Sequence, residues 1–153
     1  MTPRQFFDEV AEPNAQLAIA NRGDLRHAVN AIMALDAAFG ILHDALKERR
    51  HVTEPNDNKW RDELTNKCAD YGVVRDTAYA IKHGKLDRPK HKIVRRPDQV
   101  HEAQGAFQSN GFSSGFQTHQ VWITGLDGTQ HRANELIENV IHFTSSQLVA
   151  HGL

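Results

Sequence analysis

The chain has 153 residues and a mass of 17.2 kDa, enough for one ordinary domain with its own core, so a disulfide-stapled mini-fold is excluded. An apolar fraction of 39%, about 46% once glycine is included, with 24% charged residues, excludes wholesale disorder. The net charge is −1, and Asp, Arg, Asn or His interrupts the apolar runs every few residues, so no stretch is expected to reach the roughly 18–20 residues of a membrane span.

In chain order, the start Met-Thr-Pro-Arg-Gln-Phe-Phe-Asp-Glu has no signal-peptide pattern. Together with the single cysteine, Cys68, it points to a soluble protein of the reducing cytoplasm. Arg4 to Ala20 reads as helix, kinked or divided near Pro13, whose ring conflicts with the preceding turn. Residues 24–50 read as a long helix: Asp24 is a natural N-cap, and Ala28, Ile32, Leu35, Phe39, Leu42 and Leu46 recur at helical spacing. A second long helix is predicted from Asp57 to His83 on the stripe Trp60, Leu64, Tyr71, Val74, Ala78 and Ile81, weakened slightly at Gly72 and capped by Gly84. With the connector Glu54-Pro55-Asn56, the two form an antiparallel hairpin.

Beyond Gly84 the period changes. His91 to Arg95, Val100 to Phe107 and Thr118 to Thr124 read as short strands, and Gly125-Leu126-Asp127-Gly128 as a hairpin turn returning through Thr129 to Arg132, with His131 across from Trp122. Helical spacing resumes from Ala133 to Val149. The expected fold class is α+β, mainly α: one domain over residues 1–153, with a helical bundle (about 4–86), a small antiparallel β element (about 91–132) and a closing helix (about 133–150).

The charge is unevenly distributed. Residues 1–81 carry −3 and residues 97–153 carry −4, whereas residues 82–96 carry +6 from Lys82, Lys85, Arg88, Lys90, Lys92, Arg95 and Arg96 against Asp87. Such a field favours RNA, a nucleotide or an acidic protein; the bland reading is a solvated loop whose lysines guard a sheet edge. The acidic remainder argues against an extended duplex-binding face.

The second helix holds the most informative residues. At about 100° per residue, Arg75, Lys82 and Tyr79 fall about 40°, 20° and 80° from Tyr71, close to the apolar stripe, while Asp76 and His83 fall together near 120–140°. On the facing helix Asp36 and His43 flank the seam, so Asp36 is the expected partner of Arg75 or Lys82. Two readings stand. In one, these charges are ion pairs, to Asp36 or Asp44, that fix helix register. In the other, Arg75, Tyr79, Lys82, His83, His43 and Asp36 form a small polar site that binds a phosphate and supplies an acid or base.

The run from Trp60-Arg61 through Tyr71 to Val74-Arg-Asp-Thr-Ala-Tyr-Ala-Ile-Lys-His83-Gly84 resembles uncharacterised bacterial helical-bundle proteins with an Arg-Asp-x-Ala-x-Ala-x-Lys-His-Gly helix end, and more distantly is similar to HEPN domains. The similarity covers roughly residues 24–86. It implies a homodimer and a metal-independent ribonuclease in which Arg75 stabilises the phosphate, Asp76 is its polar companion and His83 is the acid or base at a ribose 2′-hydroxyl. Seven residues separate Arg75 from His83, more than the family's pattern has. On one continuous helix that places them about 12 Å apart along the axis, so a kink or a partner chain would have to close the gap.

Other chemistry finds little support. None of the ten histidines forms His-x-His or His-x-x-x-His, Glu48-Arg-Arg-His51 is a lone Glu-x-x-His at a helix end, and the nucleophile-elbow, dinucleotide and P-loop glycine patterns are missing. No metal or cofactor is expected. The loop Phe107 to Phe116 spaces three phenylalanines among small residues, as either a base-stacking surface or a β connection. The leading expectation is a HEPN-like module for RNA or a nucleotide; the alternative is a non-enzymatic module whose basic segment docks an acidic partner.

Overall fold

A computed structural model describes residues 1–52, 57–86, 93–104 and 119–153. The connector Glu54-Pro55-Asn56, the basic residues Arg88, Lys90 and Lys92 with His91, and the loop Phe107 to Phe116 lie outside the described residues.

The N-terminal segment is helical throughout, but not regular. Thr2 starts α1 (Pro3–Phe6) with a reciprocal cap: its hydroxyl accepts from the Gln5 N–H at 3.2 Å, and its own N–H donates to the Gln5 side chain at 3.0 Å. The chain then widens into a π segment (Phe7–Ala11) before α2 (Glu12–Ala20), with the Glu12 N–H bonded five residues back to Phe7. Pro13 explains the widening, since its ring would meet the carbonyl four residues earlier in a regular helix. Asn14 donates its side-chain amide to the Val10 carbonyl at 2.8 Å, satisfying an acceptor next to the irregularity.

Asp24 caps α3 (Leu25–Glu48) by accepting the His27 N–H at 3.1 Å, and that bond above all holds its carboxyl below the ordinary value. The expected stripe from Ala28 to Leu46 is buried against α2, α5 and α6, making α3 the central helix. It is also long and apolar enough by composition to cross a membrane, contrary to the sequence expectation; its polar interruptions are short, and alanines fill the spaces between them.

The second helix is two. α4 (Asn58–Lys67) ends where the Cys68 N–H bonds the Leu64 carbonyl, Cys68 is extended (φ −141°, ψ 101°), and α5 (Ala69–His83) begins afresh. The break lets Trp60, Arg61 and Leu64 of α4 and Tyr71, Val74 and Ala78 of α5 all enter one core. Gly72 is the contact that permits this fold-back. A Cβ there would lie 2.6 Å from the Thr65 methyl of α4, so the residue does more than weaken a helix. Gly84 ends α5 at φ 71°.

The sheet is a three-stranded antiparallel meander, β1 (Val100–Gln104), β2 (His119–Thr124) and β3 (Gln130–Arg132), in the order β1-β2-β3. In β2, Val121 and Ile123 turn into the core while Trp122 takes the opposite face. The turn closes through the Gly125 N–H to the Thr129 carbonyl at 2.7 Å, with Gly128 at φ 83°. That closure sets Thr124 opposite Gln130, so Arg132 rather than His131 faces Trp122. Among the described residues Ile93–Arg95 form no strand: the Ile93 carbonyl accepts from Leu126 and the Arg95 carbonyl from Leu86, which wedges the segment between the helix end and the hairpin. α6 (Ala133–Ala150) closes the bundle with Leu136, Val140, Thr144 and Leu148 buried. The described fold is thus mainly helical α+β, with the small sheet placed before the last helix.

The link between α2 and α3 runs along β2 where β3 stops. The Val121 N–H donates to the Arg22 carbonyl at 2.9 Å, and a Cβ on Gly23 would lie 2.6 Å from the His119 carbonyl oxygen. Because that atom is backbone, Gly23→Ala is expected to cost about 1–3 kcal/mol in a urea melt. A neutral result would mean that this junction yields freely.

Candidate functional site

The polar residues of the seam gather around Asp36, whose side chain is 2% exposed. From α4, Arg61 reaches across to it: Nη1 pairs with the Asp36 carboxylate, Nη2 donates to the Asp36 carbonyl at 3.3 Å, and Nε pairs with Asp57, the residue just before α4. From α5, Lys82 Nζ donates to the other Asp36 oxygen at 2.7 Å, and the Tyr71 hydroxyl lies 3.3 Å from Arg61 Nη1. One carboxylate therefore holds two cations, each from a different helix. Desolvation opposes the Arg61 charge, yet the Asp36 and Asp57 carboxylates beside it outweigh that and raise the pKa above the ordinary arginine value. Burial pushes the Tyr71 phenol above its ordinary value, against the pull of Arg61, so it stays a neutral hydroxyl.

Lys82 thus takes the expected partner and Arg75 does not. Arg75 turns toward α4 and donates to Asp62 at 2.6 Å, its side chain 6% exposed and that of Asp62 61%. Asp36 was taken by Arg61, which a single-helix reading leaves off the seam: one residue past Trp60 is about 100° round the wheel. The break at Cys68 gives α4 a different approach, and the Asp57–Arg61 spacing of one turn was the available signal.

Asp76 is buried and accepts the Ile93 N–H at 3.1 Å, anchoring the segment that leads to the hairpin. His43 is buried beside Trp60, with ring centroids 5.5 Å apart; its Nδ1 lies 3.7 Å from the exposed Asp44, and its Nε2 has no hydrogen-bond partner. His83 is exposed at the far end of α5, its ring 5.8 Å from that of the half-buried Tyr79. α5 is unbroken from Ala69 to His83, so no kink brings His83 back to Arg75, and the two remain about 12 Å apart along the axis.

Of the basic segment, Lys82, Lys85, Arg95 and Arg96 are described. Lys85 is exposed just past the helix end, and Arg96, also exposed, pairs with Asp98 at 3.0 Å. Arg95 is half-buried, and its N–H and that of Arg96 both donate to the Gln99 side chain. Among the described residues no three His, Cys, Asp or Glu side chains gather as metal ligands. No protein-family model, curated protein or solved structure matches the chain.

Proposed function

We propose that the chain is a HEPN-like helical-bundle module of the cytoplasm that binds single-stranded RNA at the basic end of α5 and holds the strand without cutting it. One observation carries this reading: the buried Arg75 guanidinium is committed to the exposed Asp62 of α4, while His83 stands exposed beside Tyr79, Lys82 and Lys85 at the end of the same helix. Cleavage needs a cation and an acid or base on one phosphate. Binding needs only accessible cations and a ring, and the helix end supplies both. A homodimer would rebuild a cleavage pair only if Arg75 left Asp62.

The test is fluorescence anisotropy of a labelled, mixed-sequence single-stranded RNA in EDTA. Binding is expected to weaken steeply between about 50 and 200 mM salt, and Lys85→Glu with Arg96→Glu to weaken it at least about tenfold at the lower salt. The RNA should remain intact with both wild type and His83→Ala. RNA cleavage lost in His83→Ala would replace holding by catalysis. Absence of salt-sensitive RNA binding, with a polyglutamate peptide bound instead, would move the assignment to an acidic protein partner.

A further inference from the structure

A second feature lies at the opposite end of α5, on the β hairpin. Trp122 sits on the sheet face away from the core, half-buried, with His101 of β1 on one side and Arg132 of β3 on the other. The Arg132 guanidinium lies 5.5 Å from the indole centroid. Beside them opens a cleft of about 380 Å³ between β3, the start of α6 and the start of α5, lined by Trp122, Gln130, His131, Arg132, Asp70 and Glu135. Its size lies within the range of small-ligand sites.

The charges select the occupant. Arg132 is already paired with Glu135 at 2.8 Å, and two carboxylates line the walls, so a phosphate group is repelled. Among the described residues Asp70 accepts from one neutral donor, the Asn139 amide at 2.7 Å, and a carboxylate has room for further donors. What fits is an uncharged planar ring with N–H groups along its edge. Guanine matches best, because its ring N–H and exocyclic amine stand side by side and can both donate to one carboxylate. Uracil presents carbonyls on both sides of its single N–H.

We propose that this cleft is a base-reading subsite that takes a guanine, stacked against the Trp122–Arg132 pair and held on its edge by Asp70. The proposal rests on the RNA reading and adds a preference to it: cations at the end of α5 hold the backbone, and the hairpin cleft reads one base. Asp70 and His83 are thirteen residues apart, about 20 Å along the helix, so the two contacts would fall on different nucleotides of one strand.

The test uses nucleosides, which lack the phosphate. The chain has two tryptophans, and their indole N–H resonances are told apart with Trp122→Phe. Millimolar guanosine is expected to shift the Trp122 signal saturably and leave that of buried Trp60 in place, with uridine at least about tenfold weaker. Asp70→Asn should weaken guanosine about tenfold with an unchanged melting temperature, and Arg132→Gln should weaken it as well. No shift of the Trp122 signal, equal response to guanosine and uridine, or full affinity in Asp70→Asn would each overturn the subsite. Salt-sensitive RNA binding that survives such a failure leaves the RNA reading standing, whereas guanosine binding without RNA binding removes the RNA reading and keeps the cleft.

Discussion

Asp36→Ala is expected to lower the unfolding free energy by about 3–5 kcal/mol, a large part of the roughly 5–15 kcal/mol that holds a domain together. The size follows from what would be left behind. Arg61 is 5% exposed, and without Asp36 its buried Nη1 loses its carboxylate while Asp57 remains on the Nε side only. Lys82 behaves differently, because its side chain is 35% exposed and can turn to water. Lys82→Met should therefore cost about 1 kcal/mol or less in the same urea titration. Replacing both buried partners, as in Asp36→Leu with Arg61→Met, should recover much of the loss, since the penalty comes from an orphaned charge rather than from the missing pair. A loss near zero for Asp36→Ala alone would mean that water reaches the seam freely.

Phe39→Ala should be comparably severe, about 3–5 kcal/mol, for an apolar reason. The ring is fully buried at the centre of α3 and meets three aromatics from three other helices: Tyr71 at 4.1 Å between centroids, Phe143 at 5.9 Å and Trp60 at 6.3 Å. Truncation would leave a void bounded by rings that cannot all move inward, because each is fixed on a different helix. Phe39→Leu keeps most of the volume and should cost clearly less, while Tyr71→Phe, which removes only the hydroxyl near Arg61, should cost about 0.5–1.5 kcal/mol. Chemical denaturation monitored by circular dichroism would rank the three. Phe39→Ala no worse than Tyr71→Phe would show that the cluster is loosely packed.

The parts of the fold legible in the sequence are those decided within a few residues. The Asp24 cap, the α3 stripe and the Gly125–Gly128 turn each depend on neighbours in the chain, and each lies where its local pattern puts it. The break at Cys68 was not legible, because helical spacing continues on both sides of it and the close approach it allows, Gly72 to Thr65, joins segments whose meeting no local pattern encodes. That omission then hid Arg61. A wheel drawn through one continuous helix assigns Arg75 to Asp36, whereas two helices at different approaches give Asp36 to Arg61 and Lys82, and Arg75 to Asp62. The Ile93–Arg95 segment failed for a similar reason: its backbone bonds run to Leu86 and Leu126, one on each side, instead of to a neighbouring strand. For the hairpin cleft the residue types were visible, but a difference of one residue in register decided that arginine, not histidine, covers the indole.

The widened turn near the N-terminus bears on how the chain tolerates changes of length. Between Phe7 and Ala11 the helix carries one residue more than a regular turn needs, and Pro13 sits where that extra residue relieves its ring. The two features are therefore coupled. A chain that lost the proline would have a residue to spare and could drop one between 7 and 11 while keeping Ala15 and Ala18 against the core. A chain that lost the residue but kept the proline would have to bend the helix instead.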